Sequence, residues 1–591
     1  MNPAQLNQLK QQASKALELG DLAGASVLLT PAHKKFPNDP EVNWLVADLF
    51  IAQGHAAQGA LLLKKAAERK SNVVVKEPLL EKAAEVCGRE HLDALGLECA
   101  SAWLKHNSTS DKARFFLGLF LYRNKRYSEC ITHLKKVVKQ GTDNAWVYKT
   151  LGEALGCIGE HKTSFQNYKK GIALAPEAAG FQANFLLACN AMPFLSDSDV
   201  SDEHISYGKS IESRISPIAR ESPKKRPKKL RLGFTSGEFR CHSIAYFLLP
   251  LLRGIDKARY EVYCYSDTTV EDSFTKEIKK YCDGWLDTDS LESDALIQII
   301  RDDRVDVLVE LNGYTGRFRF EVFATKAAPI QVSYLGYPNT TGLSRIDYRL
   351  TDSWADPETK TEHLHAETLT RLPGGFLCFE ADPEAPAVER VQRLKGKEGI
   401  CFGSFNAFHK VTKEVISTWA RVLDGVPDST LLIKSFSLGD PVIREMIKRK
   451  FSEHGISSKR LILLDHTAGR KEHLALYAKV DIHLDTFPYN GTTTTCEALW
   501  QGVPSVVLAG SSHRSRVGVS ILNQVGLTDF IAEDLDAYVG LAVSKAAEQA
   551  SLEVLREGMR ERMQNSPLMQ VERFAKDFSA AIEGMYQRYI D

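Results

Sequence analysis

The chain of 591 residues carries no net charge: 75 Lys and Arg residues balance 75 Asp and Glu. The global field that would gather nucleic acid or an anionic membrane is therefore missing, and neither is expected as a partner. Paired cysteines are also missing. The 11 cysteines are scattered from Cys87 to Cys496 without one Cys-x-x-Cys pair, so spacing suggests neither a zinc site nor a disulfide framework. Reduced thiols in a cytoplasmic protein are the expectation. No apolar run approaches the roughly 20 residues that span a bilayer. The opening stretch, MNPAQLNQLKQQASK, lacks the apolar core of a signal peptide. At this length one hydrophobic core does not suffice, and roughly two to four domains are expected.

What is present first is a period. Gly20, Gly54 and Gly88 are spaced 34 residues apart, and Gly118 stands 34 residues before Gly152. Leu117 with Leu151, Lys135 with Lys169 and Lys136 with Lys170 repeat in the same frame. Small residues where paired helices cross, at this interval, resemble tetratricopeptide repeats. The frame slips by about two residues between Gly88 and the repeat containing Cys130. A stack of helix pairs offers a concave groove for a peptide or partner protein. The repeats are expected over residues 1–192. A helical connection and basic linker follow over 193–229, where ARESPKKRPKKL (219–230) reads as a solvated, Pro-containing run.

The texture then changes to short β-branched and aromatic runs separated by helical stretches. LRLGFTS (230–236), YEVYCYS (260–266), VDVLVEL (305–311) and IQVSYLG (330–336) read as buried strands, with SDALIQIIRDD (293–303) helical between two of them. The pattern restarts at GICFGSF (399–405), TLLIKSF (430–436), RLILLD (460–465), VDIHLDTF (480–487) and PSVVLAG (504–510). This alternation predicts parallel sheets covered by helices. The fold class is therefore α followed by α/β, with a first lobe over 230–385 and a second over 386–591. The charged, Pro-bearing stretch 380–398 connects them. Ligands of such lobes sit at strand C-terminal ends.

Four stretches carry candidate chemistry. In DIHLDTFPYNGTTTTCEALWQG a strand ends near Asp485, a turn follows, and Thr492 to Thr495 lead into a helix. Hydroxyls and free N–H groups at a helix start form an anion site aided by the helix dipole, although capping is the commoner use of threonine there. Lys410, in FGSFNAFHKVTKEVISTW, lies just past a strand at the start of an amphipathic helix, where a cation can meet a phosphate. Arg470 and His473 share i, i+3 helical spacing and hence one face. His242 follows strand 230–236 in a loop entering an apolar helix, a cleft-facing place for a group that titrates near neutrality.

LNGYT (311–315), APIQVSYLGYPNTTG (328–342), IDYRLTD (346–352), FGSFNAFHK (402–410), NGTTTTCEALWQGVP (490–504) and SRVGVSIL (515–522) resemble the O-linked N-acetylglucosamine transferase family, which includes the SPINDLY proteins and bacterial relatives. The resemblance covers essentially all of 230–591, and a repeat arm ahead of it is typical. It implies a GT-B arrangement of two Rossmann-like lobes. It also implies inverting, metal-independent transfer from a nucleotide sugar, usually UDP-GlcNAc, to Ser or Thr of a protein. By the same resemblance Lys410 is the pyrophosphate-binding lysine, and His242 is the active-site histidine near acceptor and sugar. Thr493 and Thr494 are the pair that contacts the diphosphate. Glu497 stands for an acidic residue on the ribose, while Ala468 and His473 match nucleotide-site positions. Asn406, Arg470 and Thr492 are counted with the nucleotide-sugar contacts.

Departures surround the nucleotide. Ala407 replaces a Gln of the animal enzymes, Arg470 replaces a Lys, and Thr492 replaces a His. In the arm, Phe116 and Thr150 occupy positions where animal enzymes present Asn side chains to peptides, which implies a different acceptor scheme. The large insertion between lobes is missing. No metal or other cofactor is expected: Asp287-Thr-Asp289 and Asp534-Leu-Asp536 each precede a helical stretch and read as capping. Repeat arms of this kind often self-associate, so a homo-oligomer is an open expectation. An N-glucosyltransferase or O-fucosyltransferase of the same fold, or an inert scaffold, are the rival functions.

Overall fold

The computed structural model describes residues 2–69, 75–219, 226–392 and 399–591. Half of the basic run (220–225) and the end of the expected inter-lobe connection (393–398) lie outside the described residues. The chain divides into two compact units, Met1–Pro176 and Glu177–Asp591.

Among the described residues of the first unit the helices come in five consecutive pairs. They are Pro3–Glu18 with Leu22–Lys35, Pro40–Ala52 with Ala56–Ala67, Lys76–Arg89 with Asp93–His106, Asp111–Arg123 with Tyr127–Gln140, and Ala145–Cys157 with His161–Leu174. Each pair turns on one residue with positive φ: Gly20 (74°), Gly54 (82°), His91 (55°), Lys125 (62°) and Gly159 (77°). These turns are 34, 37, 34 and 34 residues apart. Gly88, read from spacing as the third member of the series, instead lies inside the helix Lys76–Arg89. A longer third repeat is thus the source of the slip in frame. Gly118 is required by packing: a Cβ there would lie 2.4 Å from Leu134 Cδ2 on the paired helix. Thr150 is buried at 2% exposure, so its hydroxyl is not offered to a groove. Phe116 packs its ring 6.1 Å from that of Trp103 and 6.3 Å from that of Phe120.

The second unit contains two sheets. The first holds β1 (Leu230–Ser236), β2 (Tyr260–Ser266), β3 (Gly284–Asp287), β4 (Val307–Glu310), β5 (Ile330–Ser333), β6 (Tyr348–Thr351) and β7 (Thr368–Arg371). The second holds β8 (Cys401–Ser404), β9 (Thr430–Lys434), β10 (Leu461–Leu464), β11 (Ile482–Leu484), β12 (Ser505–Leu508) and β13 (Ile531–Ala532). Their orders are β3-β2-β1-β4-β5-β6-β7 and β10-β9-β8-β11-β12-β13, and the paired strands run parallel throughout. Every residue of β4, β5, β8 and β9 is buried, as expected for a parallel sheet covered on both faces. Strand order reverses between β1 and β4 and between β8 and β11, and a crevice opens beyond the strand ends at each reversal. The architecture is therefore a helical-repeat arm followed by a GT-B pair of Rossmann-like lobes.

Two devices join the lobes. The last helix, Val571–Ile590, returns to the first lobe, where Glu583 Oε1 accepts from the Tyr260 hydroxyl at 2.9 Å. The helices Ala179–Cys189 and Asp197–Glu212 belong to this unit and bridge the lobes. On the first-lobe side, Asn190 Nδ2 donates to the Tyr337 hydroxyl at 2.8 Å, and His204 Nε2 lies 2.6 Å from the same oxygen. On the other side Arg514, from the loop after β12, donates to the carbonyls of Cys189 (3.0 Å) and Asn190 (2.8 Å) and to Asp197 Oδ1 (2.9 Å). Among the described residues no helix is long and apolar enough to cross a membrane.

Candidate active site

The loops at both strand-order reversals meet around a cavity of about 280 Å³, lined among others by His242, Thr315, Asn406, Ala407, Lys410, Tyr489, Thr492, Thr493 and Thr494. His242 comes from loop 237–244, between β1 and the apolar helix Ala245–Gly254. Burial holds its imidazole below the usual range, with Glu238 opposing that shift and Arg240 adding to it. The ring is therefore neutral near pH 7. Its Nδ1 accepts a long hydrogen bond from Ile244 N, at 3.4 Å.

Lys410 ends a 3-10 turn, Phe408–Lys410, that follows β8 and precedes the helix Lys413–Gly425. Its Nζ donates to the carbonyl oxygen of Asn490 at 2.8 Å and lies 3.6 Å from the centroid of the Tyr489 ring. Burial pulls its pKa down to about 8, against the favourable field of Asp485.

Asn490 and Gly491 lead directly into the helix Thr493–Trp500. The cation thus stands at the helix tip, where first-turn N–H groups have no carbonyl of their own helix to bond.

The four threonines separate into two kinds. Thr494 Oγ1 donates to Asn406 Oδ1 at 2.9 Å, and Thr495 Oγ1 donates to the Gly491 carbonyl at 3.1 Å. Thr492 makes no side-chain capping bond. Behind the turn, Asp485 is wholly buried, and its Oδ1 accepts from Asn406 Nδ2 (3.0 Å), Thr486 N (2.9 Å) and Gly491 N (2.8 Å). A Cβ at Gly491 would lie 2.4 Å from Thr494 Oγ1 and 2.9 Å from Asn406 Oδ1. Gly491→Ala is accordingly expected to push the helix tip out of place. Turnover should fall about 10- to 100-fold for a stability loss of only about 1–3 kcal/mol, the usual cost of overpacking. Steady-state kinetics beside thermal unfolding checks this.

Arg470, His473 and Glu497 form a second cluster. The Arg470 guanidinium pairs with Glu497 Oε1 and, through Nε, with Asp382 Oδ2 at 3.2 Å. His473 Nε2 lies 3.1 Å from Glu497 Oε2, and its Nδ1 lies 2.9 Å from Lys434 Nζ. Arg470 and His473 do share one face of the helix Arg470–Ala475, as their spacing predicts. Burial works to raise the Glu497 carboxyl, but the His473 bond and the Arg470 charge outweigh it and hold the group below the usual range.

Both Glu497 oxygens are therefore occupied by protein. Ala468 is exposed in the bend before this helix and does not line the cavity. The Asp-x-Asp pairs differ from each other. Asp534 caps the helix Leu535–Ala547 as expected, accepting from Ala537 N at 2.8 Å. Asp287 and Asp289 do not cap: Asp287 accepts from Trp285 Nε1 at 2.8 Å, Asp289 pairs with Arg317, and Glu292 stands at the N-cap of the next helix. Tyr489, Asp485 and Asp382 escaped the sequence reading. A polar residue ending an apolar strand just before a glycine turn was the one available signal, and it points to Asp485 alone.

Comparison with known proteins agrees with this architecture. The profile of glycosyl transferase family 41 matches residues 216–385 and 380–578. A Hordeum vulgare protein described as a probable UDP-N-acetylglucosamine–peptide N-acetylglucosaminyltransferase SPINDLY is 38% identical over 421 residues, covering 70% of this chain and 44% of that one. The Arabidopsis thaliana protein of the same description is 36% identical over 420 residues, covering 70% and 46%. The chain thus spans about half the length of the curated relatives it matches. A solved variant of the Thermobaculum terrenum O-GlcNAc transferase superposes with a TM-score of 0.79 at 27% identity, over 88% of this chain and 99% of that one. On these grounds the chain belongs to glycosyl transferase family 41.

Proposed function

We propose that the protein transfers a sugar, GlcNAc from UDP-GlcNAc in the first instance, to Ser or Thr hydroxyls of protein acceptors, with inversion and without a metal ion. One observation carries the proposal: the Lys410 ammonium stands on the Asn490 carbonyl at the tip of the Thr493–Trp500 helix, in the same cavity as His242. As the glycosidic bond breaks, charge gathers on the departing diphosphate. A fixed cation and the first-turn N–H groups would meet that charge, each well-placed donor being worth roughly 2.7–4 kcal/mol. The acceptor hydroxyl attacks from the opposite face of the sugar.

His242 suits positioning better than deprotonation. Because Nδ1 accepts the Ile244 N–H, the neutral ring carries its proton on Nε2 and presents a donor. The relatives' descriptions as peptide N-acetylglucosaminyltransferases support the donor and the acceptor class. Peptide capture by the repeat arm and a cytoplasmic setting belong to the same proposal.

The donor is open to direct test. Arg470 and His473 each take one oxygen of Glu497, and each oxygen keeps a second lone pair for the ribose contact implied by the family resemblance. Hydrolysis and transfer are therefore measured across UDP-GlcNAc, UDP-glucose and GDP-fucose, with EDTA present, and modified peptides are mapped by mass spectrometry. Ser or Thr modification from UDP-GlcNAc is expected. Asn modification from UDP-glucose, or transfer from GDP-fucose alone, would replace the donor and acceptor assignment. A folded protein that turns over none of them would be a binding scaffold.

A further inference from the structure

We propose that Asp485 is a positioning residue that sets the hydrogen-bond polarity of the helix tip: through Asn406 it turns the Thr494 hydroxyl proton inward, so that this hydroxyl meets the donor substrate only as an acceptor. The inference rests on the function proposed above and refines which groups face which part of the nucleotide sugar.

The argument is one of donor counting. An ionised carboxylate only accepts. Asp485 Oδ1 therefore requires the NH₂ side of Asn406, at 3.0 Å. That leaves Asn406 Oδ1 facing Thr494 Oγ1 at 2.9 Å, and an amide oxygen also only accepts. Thr494 has one proton and must give it to Asn406. Thr495 has likewise given its proton to the Gly491 carbonyl.

A phosphate oxygen brought against Thr494 Oγ1 would meet lone pairs. The phosphates are therefore received by Lys410, the first-turn N–H groups and the hydroxyls of Thr492 and Thr493. Thr494 Oγ1 is left for a ligand group that carries hydrogen, a sugar hydroxyl or amide N–H.

The tightness of the turn leaves no slack for a different arrangement, because even one carbon at Gly491 would strike both Thr494 Oγ1 and Asn406 Oδ1. The groups facing Asp485 are few: Lys410 from the 3-10 turn, Tyr477 within its field, and Tyr538, whose hydroxyl donates to the Asp485 carbonyl at 3.0 Å. Its Oδ2 has no hydrogen-bond partner among the described residues. Burial raises this carboxyl to about 6, with the backbone bonds and Lys410 opposing the shift.

The test is a double-mutant cycle of Asp485→Ala, which removes the acceptor of Asn406 Nδ2, and Thr494→Val. It is read in kcat/KM for the nucleotide sugar and in Kd for UDP and GDP by calorimetry. Each single change is expected to cost about tenfold, the scale of one well-made hydrogen bond. The double variant should be no worse than Asp485→Ala alone, and Thr494→Ser should retain wild-type values. Asp485→Ala also strips Lys410 of its opposing charge. The alkaline limb of the pH profile, near pH 8 in the wild type if the lysine governs it, should then move to lower pH. An aspartate that is protonated, and so free to donate, would leave that limb in place.

Losses that multiply across the cycle, or an unmoved limb, would overturn the inference while the transferase function stands. Should Asp485→Ala fail to fold, Asn406→Ala replaces it in the cycle with the same expectations for the hydroxyl. A wild-type protein with neither turnover nor nucleotide affinity would sink the parent function and this inference together.

Discussion

Lys410→Ala is expected to lower kcat by about 10²–10³-fold, the effect of removing one preorganised donor from a developing oxyanion, with the fold retained. Among the described residues the lysine is the sole Lys or Arg lining the cavity, and it is held by a backbone carbonyl and an aromatic face rather than by a carboxylate. Its charge is therefore not cancelled by a direct ion pair and stays available to a diphosphate.

Its removal should not unfold the protein. No buried salt bridge breaks, and Asp485, already shifted towards protonation by burial, can take up a proton in place of its neighbouring cation. Rapid-quench kinetics separates chemistry from product release, and unchanged thermal unfolding confirms the fold. Turnover at the wild-type rate would remove the lysine from the mechanism.

Arg514→Ala is expected to have the largest effect on stability, a loss of about 3–5 kcal/mol, the scale for stripping one partner from a buried charge pair. Arg514 is 2% exposed. Its guanidinium satisfies two backbone carbonyls at the end of the helix Ala179–Cys189 and the carboxylate of Asp197 at the start of the next helix. Truncation leaves both carbonyls without this donor, and Asp197 keeps only the hydroxyls of Ser511 and Ser512. Arg514→Lys should recover little, because a single ammonium cannot fill the planar fork.

The pH dependence gives a second check. Burial works to raise the Asp197 carboxyl, but Arg514, Ser511 and Ser512 hold it below the usual range. A depressed carboxyl contributes stability that is present above its unfolded pKa, near 3.9, and is lost as pH falls through the folded value. The gap between wild type and variant in urea unfolding should therefore narrow on acidification. A constant gap would show that Asp197 is not the partner that matters.

The sequence alone reached the strands that sit within longer runs rich in apolar residues. β1, β2, β4, β5 and β8 to β12 lie within the runs read from composition, because a strand buried on both faces must be continuously hydrophobic. β3, β6, β7 and β13 were missed. β13 has only two residues, β3 and β7 lie at the edge of their sheet with half-open burial, and β6 carries Arg349 within it. Too few side chains are covered there to leave a pattern.

Periodicity found the repeats, but the glycines of one frame are not equivalent: Gly20 and Gly54 turn with positive φ, whereas the third turn is carried by His91 and Gly88 stays helical. It also carried the repeats to residue 192, whereas the compact units divide at Pro176. An amphipathic helix records that it buries one face, but not which neighbour covers that face.

The site divides in the same way. Local chemistry was enough to single out Lys410, His242 and the threonine run, because a cation after one strand and a hydroxyl-bearing helix start after another are visible residue by residue. Their meeting around one cavity depends on two strand-order reversals that no local pattern encodes. Which of four identical threonines give their protons to protein acceptors was likewise decided by tertiary structure. It follows from where Asn406 and the Gly491 carbonyl stand, and a hydroxyl takes its polarity from the partner that packing sets against it.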